Sequence, residues 1–205
     1  MKRFWQAVLI LLISGGLTGC QRATSLIPES VALIEESPVL EIPLSGPAAE
    51  AQAEISGMAW CGEHLILLPQ YPMMYKDKNE AGYVFSIPRT ALDGYLTSEG
   101  DQPLLPELLP FDAKGIDGLI SGFEGFESLT FYQDQVFLTI ESRQGDEMVG
   151  VLVRGTVSGD CERLTIDQEA PITLTPQADL GNMSDETLVI YDNQLYTIYE
   201  ANGVN

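Results

Sequence analysis

The chain has 205 residues, enough for one domain with a usable core. Apolar residues make up 45% and charged residues 20%, which excludes a disordered chain. The 30 Asp and Glu against 10 Lys and Arg give a net charge of −20, which would repel phosphate backbones and excludes nucleic acid as a partner.

The N-terminus carries the most specific local signal. Lys2 and Arg3 precede an apolar stretch, Phe4 to Ser14, too short to span a bilayer comfortably. Leu17-Thr18-Gly19-Cys20 follows and resembles the bacterial lipobox, whose Cys is acylated and becomes the mature N-terminus. Residues 1–19 are thus expected to be a lipoprotein signal peptide and Cys20 the lipidation site. Cleavage would remove two basic residues and no acidic one, taking the net charge to −22. Several acyl chains anchor a protein stably, at about 0.8 kcal/mol per buried CH₂. The expected location is the cell envelope, at the outer membrane if the host is Gram-negative, with the membrane contacted through lipid.

Residues 20–53 hold prolines at 28, 38, 43 and 47 and predict an extended tether. Within them Val39 to Leu44 alternates and would serve as a strand pairing with a distant part of the chain. The domain is expected over 54–205.

That domain is organised by a repeated hairpin. Phe126 to Ser142, FESLTFYQDQVFLTIES, returns as Asp185 to Ala201, DETLVIYDNQLYTIYEA. A weaker copy, Ile55 to Tyr71, precedes both. In the first copy Ser56, Met58 and Trp60 share one strand face, Gly62-Glu63-His64 turns the chain, and Leu65 to Leu68 reads as a strand buried on both sides. Gly82 to Pro88 predicts a third strand. Thr90 to Leu96 predicts one or two helical turns with Thr90 as N-cap. Residues 97–125 look like a long inter-strand excursion.

In the second copy Glu127, Leu129 and Phe131 alternate with Ser128, Thr130 and Tyr132. Val136 to Ile140 follows the turn, Glu147 to Val157 supplies a third strand, and Cys161 to Ile166 or Ile172 to Thr175 a fourth. In the third copy Glu186 matches Glu127, and Glu200 matches Glu141. Four antiparallel strands per unit is the make-up of a β-propeller blade. The expected fold is all-β, a partial propeller of four-stranded antiparallel blades with about two and a half blades present. Closure needs roughly four to eight blades, so the chain is expected to be the N-terminal part of a longer protein.

The segments GFEGFESLTFYQDQVFLTIESR and NMSDETLVIYDNQLYTIYEANG resemble the blade openings of bacterial propellers of the phytase-like esterase family, and more loosely the gluconolactonase and strictosidine-synthase superfamily. The resemblance implies calcium bound by axial carboxylates, or hydrolysis of carboxyl esters, lactones or phosphate esters. It does not single out a catalytic residue.

Glu127 and Glu186, with Asp185 beside the second, are the candidate metal ligands, since carboxylates converging from different blades would give Ca²⁺ hard oxygen ligands. Ser56 would add a weaker oxygen. The same recurrence suits a structural latch to the neighbouring unit. Gln70, Glu141 and Glu200 form a second matched set at strand ends, with Arg143 positioned to pair with Glu141 or with an acidic substrate. His64, the one histidine, lies in a turn without a serine elbow and is not expected to be catalytic. Tyr71, Tyr75, Met73 and Met74 would line a pocket or pack on a neighbour. An oxidising compartment permits a disulfide between Cys61 and Cys161; two buried free thiols fit equally well. The expected activities are a calcium-dependent hydrolase of carboxyl or phosphate esters, with a small-molecule ester as partner, or a non-catalytic envelope module that binds a protein partner.

Overall fold

The structure is a computed structural model that describes residues 39–75, 81–97, 102–177 and 183–201. The signal peptide, Cys20 and the tether up to residue 38 lie outside the described residues. The described chain is mostly β.

Strands β1 (Ile55–Cys61), β2 (His64–Pro69), β3 (Gly82–Pro88) and β4 (Glu107–Asp112) form one antiparallel meander. The two-residue turn between β1 and β2 opens on Gly62, whose φ of 54° is left-handed and cheap for a residue without Cβ. Helix α1 (Arg89–Thr97) follows β3 directly. It begins one residue before Thr90, which therefore sits in its first turn and is not the N-cap. β4 corrects the expected excursion over 97–125. Its sequence, ELLPFD, conceals a strand because Pro110 interrupts it. Pro110 is tolerated because β4 pairs with β3 alone there; pairing on its other side starts at Phe111.

Strands β5 (Phe123–Tyr132), β6 (Gln135–Gln144), β7 (Glu147–Ser158) and β8 (Arg163–Ile166) form a second antiparallel meander. Of the two expected fourth strands, Arg163–Ile166 takes that place. The other, β9 (Ile172–Thr173), is a two-residue strand on β7. Strands β10 (Asp185–Tyr191) and β11 (Gln194–Tyr199) form a separate hairpin. Its turn, Asp192-Asn193, has both φ values positive, a conformation these short polar side chains accept.

The two meanders join through β4 and β8, which run parallel at Phe111 and Leu164. At the other end of the strand order β1 packs against β5. The sheet therefore nearly closes on itself in a barrel-like way. Phe111, Phe126, Ile66, Leu68, Leu138, Ile140 and Leu164 are fully buried between the meanders, each such side chain contributing about 1.5–3 kcal/mol. Phe111 and Phe126 meet edge to face, ring centroids 5.2 Å apart. Gly57 allows β1 to approach β5, since a Cβ there would lie 3.1 Å from the Ser128 Cα. Cys61 at the end of β1 and Cys161 in the β7–β8 turn form a disulfide across this junction.

The outer face of the first meander is covered by residues that the sequence places in the tether. Two short 3-10 turns, Gly46–Ala49 and Ala51–Ala53, bury Ala48 and Ala53 against Leu67, Phe85 and Ile87. The strand expected over Val39 to Leu44 reduces to a single bridge, Leu44 to Leu104. Strand β10 packs on β5, β6 and β7.

Candidate functional site

The three hairpins share a defect. In β1–β2 the register passes from Ile55 opposite Pro69 to Gly57 opposite Leu68. In β5–β6 it passes from Phe126 opposite Ile140 to Ser128 opposite Thr139. In β10–β11 it passes from Asp185 opposite Tyr199 to Thr187 opposite Ile198. The residues skipped are Ser56, Glu127 and Glu186. Each matched residue is thus the extra residue of a β-bulge, a device that re-aims one side chain. This corrects the simple alternation expected from Glu127 to Tyr132. A second bulge in β5, between Phe123 and Gly125, leaves Glu124 extra.

The bulges face a seam between successive hairpins. Ser56 Oγ donates to the carbonyl of Phe126 at 2.6 Å, and the Phe126 amide donates to the carbonyl of Gln70 at 2.9 Å. Gln70 Nε2 donates to Glu127 Oε1 at 2.8 Å. The two matched sets of the sequence therefore meet, the strand-end residue of one unit holding the bulge residue of the next. Tyr71 donates its hydroxyl proton to the Glu124 carbonyl, and the Glu124 carboxylate pairs with Arg143 at 2.9 Å. The charge of Arg143 acts on Glu141, and its described ion pair is with Glu124, the extra residue of the second bulge.

Burial and crowding raise the pKa values of the glutamates here. Glu127 is pushed up to about 7, first by loss of water and then by the charges of Glu141, Glu186 and Glu200, against the stabilising amide of Gln70. Burial also raises Glu141, with Glu200 and Glu124 adding and Ser184 and Arg143 opposing. Glu186 is raised by partial burial and by Glu200 and Glu141. Glu127 therefore holds or releases a proton near neutral pH, the property of a general acid or base.

Asp185 does not join the rim. It is buried, and its Oδ2 would be 3.1 Å from a Cβ at Gly150 of β7. Among the described residues no three His, Cys, Asp or Glu are placed to hold one metal ion. His64 sits among the hairpin turns, with Nδ1 3.0 Å from Ser86 Oγ. Tyr75 packs edge to face on Phe85. Tyr71, Met73 and Met74 instead line a cavity of about 430 Å³ together with Ile116, Asp117 and Phe123. Compared with known proteins, the chain matches no family model, no curated protein and no solved structure.

Proposed function

We propose that the chain is an exported lipoprotein, lipidated at Cys20 and held at the cell envelope, whose domain is built of β-propeller blades and hydrolyses an ester at the acidic rim. Two successive four-stranded antiparallel meanders, followed by a hairpin that repeats their opening, support the blade reading. The observation that carries the activity is Glu127, a bulge carboxyl at the junction of two units, poised near pH 7. As base it would take a proton from a water attacking the ester carbonyl carbon. As acid it would return that proton to the departing alkoxide. Carboxyl esters suit the rim better than phosphate esters, because an anionic phosphate would meet Glu127, Glu141, Glu186 and Glu200.

The phytase-like resemblance would add calcium, held by Glu127, Glu186 and Asp185. The residues as placed do not make that cage. Asp185 is turned into the β7 contact, and Glu127 Oε1 already accepts the Gln70 amide. No step above passes through a metal. A rise in melting temperature with Ca²⁺, lost in the Glu127→Gln, Glu186→Gln double variant, is the outcome that would bring calcium to the rim.

The activity is tested with 4-nitrophenyl acetate and 4-nitrophenyl phosphate, with and without calcium. The proposal expects turnover of the acetate that falls at least 100-fold in Glu127→Gln, the lower range of a general acid–base contribution. No turnover of either ester would sink the hydrolase. A second reading, a module that binds a protein partner, is favoured by Val189, Tyr191, Tyr196 and Ile198, all exposed on one hairpin. Co-purification of a stoichiometric partner lost on Tyr191→Glu would support it.

A further inference from the structure

The cavity beside the rim takes no part in the chemistry above. Three separate segments build it. Met73 and Met74 come from the 3-10 turn Pro72–Tyr75, Ile116 and Asp117 from the short helix α2 (Ile116–Leu119), and Phe123 from the start of β5. At about 430 Å³ it has the size of a small-molecule site. Methionine walls adjust to the shape of an apolar guest.

Among the residues that line this cavity the one charged side chain is acidic, Asp117. Asp117 stands exposed at its edge. On the other side Tyr71 forms a wall whose hydroxyl is committed to the Glu124 carbonyl. The same phenol is raised by burial and then by the negative charges of Glu124, Glu54, Glu127 and Glu141, so the field of the rim reaches the cavity wall. Neither Lys114, three residues before Asp117, nor Arg143, whose guanidinium pairs with Glu124, is among the residues lining the cavity. An apolar anion is repelled there, a neutral guest gains burial alone, and an apolar cation gains both terms.

We infer that this cavity binds a small amphipathic cation, with its aryl or alkyl body among Met73, Met74, Ile116 and Phe123 and its ammonium group toward Asp117 and the rim carboxylates. The inference does not depend on hydrolysis. An enzyme assay can fail while the binding stands, and the reverse.

The test is calorimetric titration of the full mature chain carrying Cys20→Ser, exported on a signal peptide that is cleaved without lipidation, which keeps it unlipidated and free of detergent. The probes are 4-phenylbutylamine, 4-phenylbutanol and 4-phenylbutyrate, at low and high salt. The amine should bind saturably, about fivefold or more tighter than the alcohol at low salt, with the advantage shrinking at high salt. The butyrate should bind weakest of the three. Asp117→Asn, at an exposed position, should narrow the gap between amine and alcohol. Met74→Lys should abolish amine binding by placing a cation at the mouth; Met74 is 59% exposed, so the fold tolerates the change. Equal affinity for amine and alcohol, no binding of the amine, or amine binding indifferent to Met74→Lys would each overturn the inference.

Discussion

Gln70 Nε2 lies 2.8 Å from Glu127 Oε1 and ties the end of one hairpin to the bulge that opens the next. The bond favours the ionised carboxylate, yet Glu127 is still pushed up to about 7, because burial and three neighbouring glutamates outweigh it.

The sign of the resulting pH dependence follows by linkage. The folded state holds the Glu127 proton more tightly than the unfolded chain, whose glutamate titrates at its ordinary value of about 4.5. The stabilisation is therefore fully present below about pH 4.5 and is lost as pH rises through about 7. Glu141 and Glu186, also raised, act in the same direction. After a discount for solvent screening, the Glu127 share is about 1–2 kcal/mol, or several degrees in melting temperature. Thermal unfolding followed from pH 4.5 to 8 should show that decline, and Glu127→Gln should flatten it. A profile unchanged by Glu127→Gln would mean the carboxyl titrates alike in both states.

Gly125 tests the same seam from the backbone. Its φ is 142°, and an added Cβ would stand 2.4 Å from Gln70 Cγ. Gly125→Ala should strain the backbone and push Gln70 off Glu127. The clash should cost about 1–3 kcal/mol, and, because losing the Gln70 donor raises Glu127 further, displacement of Gln70 should move the pH-dependent loss of stability to higher pH. Combining Gly125→Ala with Gln70→Ala decides it. The double variant should be less damaged than the sum of the singles, because the clash is with the side chain removed. Strict additivity would show the glycine is needed for its φ alone.

The hairpins were legible in the sequence because their periodicity and polar turns are local. So was the equivalence of Ser56, Glu127 and Glu186. Their placement as bulges was not, since a bulge leaves no mark on an alternating string until the partner strand sets the register. β4 was hidden by Pro110, whose missing amide matters only where a second strand would need it. Arg143 does act on nearby Glu141, but its ion pair with Glu124 spans β5 and β6, and a cross-strand partner is set by register rather than by either strand's own sequence. The burial of Ala48 and Ala53 was masked by the prolines around them, which suit an extended tether as well as a 3-10 turn capping a sheet.

The proposed lipid anchor is tested by partition rather than by structure. Wild-type protein expressed in a bacterium should enter the detergent phase, and Cys20→Ser, with residues 1–19 exchanged for a signal peptide that is cleaved without lipidation, should move it to the aqueous phase, since loss of the acyl chains removes the burial that holds it. Detergent partition that survives the substitution would place the membrane contact elsewhere in the chain.

The disulfide is a covalent tie between the meanders, beside the β4–β8 pairing. Cys61 and Cys161 are 100 residues apart in sequence, and their Cα atoms lie 6.1 Å apart. The described hydrogen bonds from Ser56, Gln70 and Tyr71 all secure the bulge end of the β1–β5 contact, whereas the sulfurs secure the end carrying the hairpin turns. Opening a loop of that length should cost roughly 2–4 kcal/mol, up to about 4.7 if chain entropy is the whole effect. The Cys61→Ser, Cys161→Ser double variant should therefore melt well below the oxidised protein. It should also exchange amide hydrogens faster around Phe131 to Gln135 and Ser158 to Arg163 than around Glu127. Uniform loss of protection would assign the disulfide's effect to the unfolded chain. Faster exchange confined to the turn end would assign it to the junction, where the bulge hydrogen bonds cannot reach.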